Sequence, residues 1–264
     1  GYTMVMISGG CDMSVGGQLA LCGMFAATLN VTYGLPTFVV VILTLMLGAL
    51  FGLINGLLMN VFNIMPLIVT LGTMLFFQGA SYIISGGVAI FGLSDSFKFI
   101  GQGYLGFVPL PIVILLVIGM LGYIVLHKTY FGRQIYAMGG NPEAARLAGV
   151  NIKKYRLAVF TITGILAAVA GIIMAARTGS AQPSAGASYP FDCMTAVVLG
   201  GVSFAGGSGS MLGAMMGVII IGVLNNGMSI MGIGIEWQQA VKGLVLLLAV
   251  AFDVYNKRRA GGGR

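Results

Sequence analysis

The sequence predicts an all-α membrane protein, a polytopic transmembrane helical bundle, from three observations. Only 7% of its 264 residues are charged and 58% are hydrophobic, whereas a soluble domain carries about 25% charged residues. No charged residue or histidine occurs in the 82 residues between Asp12 and Asp95. Because one helical span needs about 20 residues, this stretch holds several crossings. Apolar stretches such as 38–47 lack the alternation that strands of a membrane barrel show.

Seven apolar segments are predicted to span the membrane: 13–30, 37–61, 65–85, 107–127, 157–176, 210–231 and 238–255. Two further apolar segments, 1–10 and 191–205, are short and rich in glycine, which predicts broken helices. The chain starts at Gly1 inside an apolar stretch, so we expect N-terminal helices to be missing from this sequence. We predict that residues 1–264 form a single transmembrane domain.

The basic residues predict the orientation of the chain. Ten of the thirteen Lys and Arg residues lie in two regions, 128–156 and 257–264. Basic residues mark cytoplasmic loops, so we expect the 128–156 loop and the C-terminus to be cytoplasmic. The loops 86–106 and 177–191 are then external. The net charge of +7 reflects this topology, and nucleic-acid binding is not expected.

A weak internal repeat is also visible. The segment 9–17 resembles 200–207, and 52–56 resembles 222–226. The predicted spans that contain the second pair run in opposite directions, which indicates an inverted-topology repeat of the kind found in transporters. Chance similarity between glycine-rich apolar stretches is the alternative.

The predicted cytoplasmic loop contains a short helix, 141–148, with clear start and stop signals. Asn141 suits the N-cap, and Pro142 suits the first helical position. Glu143 complements the positive end of the helix dipole, and Gly149 suits a left-handed C-terminal residue. We interpret this helix as a docking element that takes force from a partner; the alternative is a surface helix that only orders the loop. The predicted docking residues are Asn141, Pro142, Glu143, Ala144, Ala145, Arg146 and Leu147.

Asp12 follows the first broken segment, 1–10. It lies between two glycine pairs, and Ser14 follows two residues later. An acid at membrane depth is costly and usually functional. Asp12, assisted by Ser14, either caps a half-helix through its N–H groups or contacts the transported solute directly.

Uncharged polar residues within apolar spans are the other candidates for a translocation path. They are Asn55, Gln78, Asn225 and Asn226. Amides both donate and accept hydrogen bonds, as sugar hydroxyls require. The alternative is hydrogen bonding between helices. Lys242 lies one turn inside the last span, and its side chain is expected to extend outward to the membrane surface.

Glycines repeat every fourth residue in two spans, at 48, 52 and 56 and at 209, 213 and 217. This spacing lets helix backbones approach closely, so we interpret it as helix packing.

Several chemistries are not expected of this chain. It contains no Gly-Lys dipeptide and therefore no phosphate-binding loop, so any ATP and Mg must bind to a separate chain. His127 is the sole histidine, and no ligand cluster surrounds Cys11, Cys22 or Cys193. We therefore expect no metal, no cofactor bound by this chain and no catalytic residues.

Five segments resemble the permease subunits of bacterial ABC importers for ribose, xylose, galactose and related solutes: 9–16, 139–149, 198–201 with 206–209, 223–227 and 237–243. The resemblance covers nearly the whole chain. It implies a multi-pass protein of the bacterial inner membrane, paired with a second permease copy or paralogue. It also implies two cytoplasmic ATPase chains and an extracytoplasmic solute-binding protein, with the coupling helix 141–148 contacting the ATPase. Cys11 stands where many family members have an aliphatic residue.

The function that this resemblance implies is the translocation path for a monosaccharide or similar small polar solute, delivered by a binding protein and driven by ATP hydrolysis in partner subunits. An ion-coupled secondary transporter with inverted repeats is the alternative. A scaffold or channel, which would need no energy source, is the third class.

Overall fold

The computed structural model of this chain describes the backbone of residues 1–261 and the side chains of residues 1–255. Its helices are α1 (Tyr2–Ile7), α2 (Val15–Ala27), α3 (Thr37–Phe62), α4 (Pro66–Ser85), α5 (Asp95–Gln102), α6 (Leu110–Lys128), α7 (Tyr130–Gly140), α8 (Pro142–Leu147), α9 (Ile152–Thr178), α10 (Tyr189–Leu199), α11 (Met211–Ile230) and α12 (Ile235–Gly261). A π-helical turn, Thr28–Thr32, extends α2. Two antiparallel pairs of short strands accompany the helices: β1 (Ile90–Phe91) with β4 (Ser180–Ala181), and β2 (Tyr104–Leu105) with β3 (Val108–Pro109).

Among the described residues, seven helices are long and apolar enough to cross a membrane, and they match the predicted spans closely. They are Val15–Thr32, Thr37–Phe62, Pro66–Ser85, Leu110–Lys128, Ile152–Thr178, Met211–Ile230 and Ile235–Tyr255. Large apolar side chains are exposed along several of them, as Phe76 and Leu247 illustrate. Such faces suit a lipid environment, where apolar surface carries no hydration cost. The prediction of an all-α polytopic bundle is confirmed.

Both segments predicted to be broken are short helices next to glycine-rich turns. With 6 residues, α1 extends about 9 Å, and with 11 residues α10 extends about 17 Å, at about 1.5 Å per residue. Neither length crosses a hydrocarbon core of about 30 Å. The inverted repeat and the single-domain organisation stay predictions.

The chain divides into two compact units. Unit 1 contains Gly1, 11–121 and 153–190. In unit 1, α2 packs against α3 and α4. Its buried core includes Met24, Val40 and Phe97.

Glycines permit close approach of α3 and α9 within unit 1. A methyl group on Gly48 would lie 2.6 Å from Cβ of Ala168, and one on Gly56 would lie 2.9 Å from the Leu157 side chain. These positions confirm the packing interpretation of this glycine spacing, because any larger side chain would force the two helices apart.

Unit 2 contains 2–10, 122–152 and 191–264. Here α1 packs against α7, and α7 packs against α8. Gly213 and Gly217 bring α11 against α10, since methyl groups there would overlap the backbone carbonyls of Gly200 and Ala196. The side chains of Lys257, Arg258 and Arg259, and the whole of Arg264, lie outside the described residues.

Candidate functional site

The Ser14 hydroxyl is the centre of a buried hydrogen-bond network in unit 1. It donates to Oδ1 of Asp12 at 2.5 Å, and the Ser14 backbone N–H donates to the same oxygen at 2.9 Å. Oδ1 of Asp12 is therefore bound to the residue two positions later, which directly precedes the first residue of α2. This geometry is a local turn at the entry to α2 and not a bond to an N–H of the first helical turn, so both interpretations of Asp12 stay predictions.

Two side-chain amides complete this network. Nε2 of Gln18 donates to the Ser14 hydroxyl oxygen at 2.7 Å, and Nδ2 of Asn55 donates to it at 2.8 Å. Asp12, Ser14, Gln18 and Asn55 are all fully buried. The structure thus joins three of the residues predicted from sequence, Asp12, Ser14 and Asn55, and adds Gln18. We call these four residues the polar node.

Three oxygens of the polar node lack a hydrogen-bond partner within the described part of the chain. Oδ2 of Asp12, Oε1 of Gln18 and Oδ1 of Asn55 have no hydrogen-bond partner among the described residues. A buried polar atom without a partner costs free energy, so the node favours contact with donors such as water or hydroxyl groups. The sequence analysis did not select Gln18, although the spacing of four residues between Ser14 and Gln18 places it one helical turn after Ser14.

Gln78 occupies a different place in unit 1. Its Nε2 donates to the Pro183 carbonyl, and the Ser81 hydroxyl donates to the same oxygen at 3.0 Å. The side chain of Gln78 also lines a pocket of about 210 Å³. The other lining residues are Gly16, Gly17, Met74, Leu75, Tyr82, Ser184, Ala187 and Pro190. Hydrogen bonding between segments, the alternative interpretation, therefore accounts for the Gln78 amide nitrogen.

Asn225 and Asn226 lie on α11 in unit 2. Asn225 is half-buried and Asn226 is exposed. Oδ1 of Asn225 has no partner among the described side chains and backbone groups. These two amides belong to unit 2, whereas the polar node belongs to unit 1.

The short helix predicted in the 128–156 loop is α8. The Asn141 side chain accepts from the Ala144 N–H at 3.0 Å, and Pro142 occupies the first turn. Gly149 has a φ of 85°, the left-handed conformation expected where the helix ends. Glu143 and Arg146 form an ion pair of 2.9 Å on the surface. Such an exposed ion pair contributes only about 0–1 kcal/mol to stability. Its relevance is that it places two opposite charges on the surface of α8.

The outer surface of α8 presents an apolar residue. Leu147 is 86% exposed, whereas Ala145 is buried. Within the helix, therefore, one small residue faces the protein and a large apolar residue faces away from it. Single exposed apolar residues are common on protein surfaces, so the docking role of α8 stays a prediction.

Lys242 forms a mostly buried ion pair. Its Nζ lies 3.0 Å from both carboxylate oxygens of Asp192, and the two side chains are only 17% and 15% exposed. Asp192 belongs to α10, so this ion pair fixes α12 to α10 within unit 2. The outward extension of the Lys242 side chain to the membrane surface stays a prediction. The sequence shows both residues, but it does not show that they are in contact.

The chain is similar to known transport permeases over almost its whole length. Residues 1–250 match the family model described as "Branched-chain amino acid transport system / permease component". The ribose import permease protein RbsC of Bacillus subtilis is 41% identical over 96% of this chain and 79% of its own length. RbsC of Escherichia coli K12 is 40% identical over 98% of this chain and 81% of its own. The xylose transport system permease protein XylH of Haemophilus influenzae is 35% identical over 98% and 85%. No solved structure matches the chain significantly.

The chain belongs to this permease family. The resemblance noted from the five sequence segments is confirmed, and so is the prediction of a transport permease rather than an enzyme.

Proposed function

We propose that this member of the permease family forms the translocation path of an ATP-driven importer for a monosaccharide or a similar small polar solute. The observation that carries the proposal is its similarity, over almost its whole length, to relatives named as ribose import and xylose transport permeases. The seven apolar helices supply the membrane domain that such a path needs. The solute itself is delivered by a separate binding protein on the outer side.

The working transporter, in this proposal, contains two permease chains, two cytoplasmic ATPase chains and the binding protein. ATP and Mg bind to the ATPase chains. The absence of a phosphate-binding loop from this sequence supports that division of labour. The 128–156 loop and the C-terminus face the cytoplasm of a bacterial cell, as the position of the basic residues indicates.

Within this assembly, α8 is the coupling helix that receives force from an ATPase chain. Its caps at both ends make a rigid piece only two turns long, and its exposed Leu147 and Glu143–Arg146 pair offer both apolar and charged contacts. A short helix fixed at both ends can transmit a push that a flexible loop would absorb.

The polar residues of unit 1 supply hydrogen-bonding groups along the path. The pocket beside Gln78 is also lined by Tyr82 and Ser184, whereas the three unpartnered oxygens of the polar node are buried. Acceptors and hydroxyls of this kind suit a solute that carries several hydroxyl donors. In this proposal the buried polar node fixes the break before α2 and so supports the architecture around the path.

The test of the coupling role uses two matched acidic residues. Glu143 and Asp95 each lie in the first turn of a helix, are exposed and pair with a basic residue three positions later. We expect Glu143→Lys, and separately Leu147→Asp, to lower the solute imported per ATP hydrolysed by about tenfold, within the range typical of coupling between sites. Asp95→Lys, the control, leaves that ratio unchanged.

The measurement is uptake and ATP hydrolysis in vesicles that contain the assembled transporter. Membrane insertion of each variant is checked by its yield in purified membranes. If both α8 variants import as much solute per ATP as the wild type, α8 has no part in coupling.

A further inference from the structure

We propose that the end of α7, the end of α1 and the turn at Gly206–Gly207 form one rigid junction that passes the motion of α8 to both broken segments. We call these three pieces the glycine junction. The inference rests on the coupling role proposed for α8. It assigns a mechanical function to residues that contact neither an ATPase nor the solute. All three pieces belong to unit 2.

Direct backbone contact defines the glycine junction. The Gly207 N–H donates to the Ile7 carbonyl at 2.8 Å. A methyl group on Gly139 would overlap that carbonyl oxygen and lie 2.7 Å from the Gly207 nitrogen. A methyl group on Gly206 would lie 2.7 Å from Cα of Gly9 and 3.0 Å from the Gly139 oxygen. Three stretches of main chain therefore meet with no side chain between them.

A second contact fixes α7 to the same turn. The Tyr136 hydroxyl, one turn before Gly140, donates to the Gly209 carbonyl at 2.8 Å. The turn is closed internally, because the Ser203 N–H donates to the Ser208 carbonyl at 3.1 Å. Asp253 of α12 accepts hydrogen bonds from the Ser203 hydroxyl and a neighbouring N–H, each at 3.2 Å. The turn is thus held from α7 on one side and α12 on the other.

The junction lies immediately beside α8. Only Asn141 separates the end of α7 from the start of α8, and its side chain caps α8. Displacement of α8 therefore acts on Gly139 and Gly140 through one residue. Contacts between backbones have no rotamers to relax, so a close-packed junction transmits displacement where side-chain contacts would yield.

Both broken segments, 1–10 and 191–205, run into this junction, and the chain continues beyond it. From Ile7, at the end of α1, the chain reaches Asp12 of the polar node in five residues. From Gly207 it reaches the start of α11, at Met211, in four residues. A push on α8 therefore acts at once on the segments that lead to the polar node and to the helix that carries Asn225.

The test compares pairs of glycines that differ only in contact. Gly139 and Gly140 are neighbours at the end of α7, but a methyl group on Gly140 meets nothing closer than 3.9 Å. Gly206 and Gly201 both have positive φ, 85° and 79°, so alanine strains both backbones alike, yet at Gly201 nothing lies within 4 Å. Gly139→Ala and Gly206→Ala wedge the junction, whereas Gly140→Ala and Gly201→Ala are their controls.

In vesicles with the whole transporter, we expect each wedged variant to import at least about tenfold less solute per ATP than its control. The reason is that an alanine methyl would separate the backbones by about 1 Å, and misplacements of that size have large functional effects. ATP hydrolysis continues in both. Equal import per ATP in wedged and control variants would overturn the inference. If the wild type itself shows no ATP-driven import, the proposed function fails instead, and the two failures are thereby distinguished.

Hydrogen exchange in the wild-type transporter covers the case in which wedged variants do not assemble. A rigid junction keeps the Gly207–Ile7 hydrogen bond throughout the cycle. We therefore expect exchange of the peptide 203–210 to change by less than about twofold when ATP is added, since exchange reports local opening. An increase of tenfold or more would show that the junction opens, which overturns the inference.

Discussion

Removal of the Ser14 hydroxyl is the most direct perturbation of the polar node. Ser14→Ala deletes one hydrogen bond to the Asp12 carboxylate and two from the amides of Gln18 and Asn55. The Ser14 hydroxyl makes no cap hydrogen bond to α2, so helix capping is not altered. The whole cost therefore falls on the node.

The expected cost follows from these three bonds. A hydrogen bond to a charged group contributes about 1.5–3 kcal/mol and one between neutral groups about 1 kcal/mol, so the variant should lose about 3.5–5 kcal/mol of unfolding free energy. Thr44→Val is the control. The Thr44 hydroxyl is equally buried in unit 1 but makes a single bond, to the Val40 carbonyl at 2.7 Å. Its loss should cost about 1 kcal/mol.

The assay is reversible unfolding of the purified protein in mixed detergent micelles, followed by circular dichroism. Each variant is compared with the wild type at the same detergent composition. A cost for Ser14→Ala no greater than that of Thr44→Val would refute the interpretation of Ser14 as the centre of the node.

Two further predictions concern unit 2. Lys242→Met or Asp192→Asn alone should each destabilise the protein by about 3–5 kcal/mol, because each leaves one charge buried without its partner. The double variant should cost less than either single variant, since neither charge then remains. Unfolding in micelles measures all three variants, and a double variant as unstable as the sum of the two single variants would contradict the prediction. Burial raises the pKa of Tyr136, so the folded state holds the hydroxyl proton more tightly than the unfolded state does. The resulting stability is present below the unfolded pKa of about 10 and is lost as pH rises beyond it. Unfolding temperatures measured between about pH 8 and pH 11 should therefore fall less in Tyr136→Phe than in the wild type, while Tyr130→Phe, which alters an exposed tyrosine, should fall as the wild type does.

The long helices were predictable because a membrane span must be apolar over its whole length. The predicted segment 37–61 and the observed Thr37–Phe62 differ by one residue at the end. The caps of α8 were predictable for a similar reason, since Asn141 and Gly149 act through neighbours in the sequence.

Two helices outside the spans were missed although the sequence contains their signals. The Ser94 side chain accepts from the Phe97 N–H at the start of α5, and Thr129 accepts from the Gly132 N–H at the start of α7. Both are ordinary N-cap residues. A search for long apolar segments does not find α5 or α7, because neither helix is long or apolar enough to span a membrane.

Contacts between distant residues could not be predicted. Asn55 reaches Ser14 across 41 positions, and Lys242 reaches Asp192 across 50. Such pairs depend on how helices pack, which a single sequence does not specify. The sequence therefore indicated which side chains were unusual, and the fold decided which of them meet.

The most direct test of the central claim measures what drives uptake. The permease is purified with its ATPase chains and binding protein, reconstituted into vesicles, and supplied with radiolabelled ribose on the binding-protein side. We predict uptake that requires ATP on the ATPase side and survives the collapse of proton and sodium gradients by ionophores. Uptake that continues without ATP and stops when an ion gradient is collapsed would contradict the account and identify an ion-coupled secondary transporter.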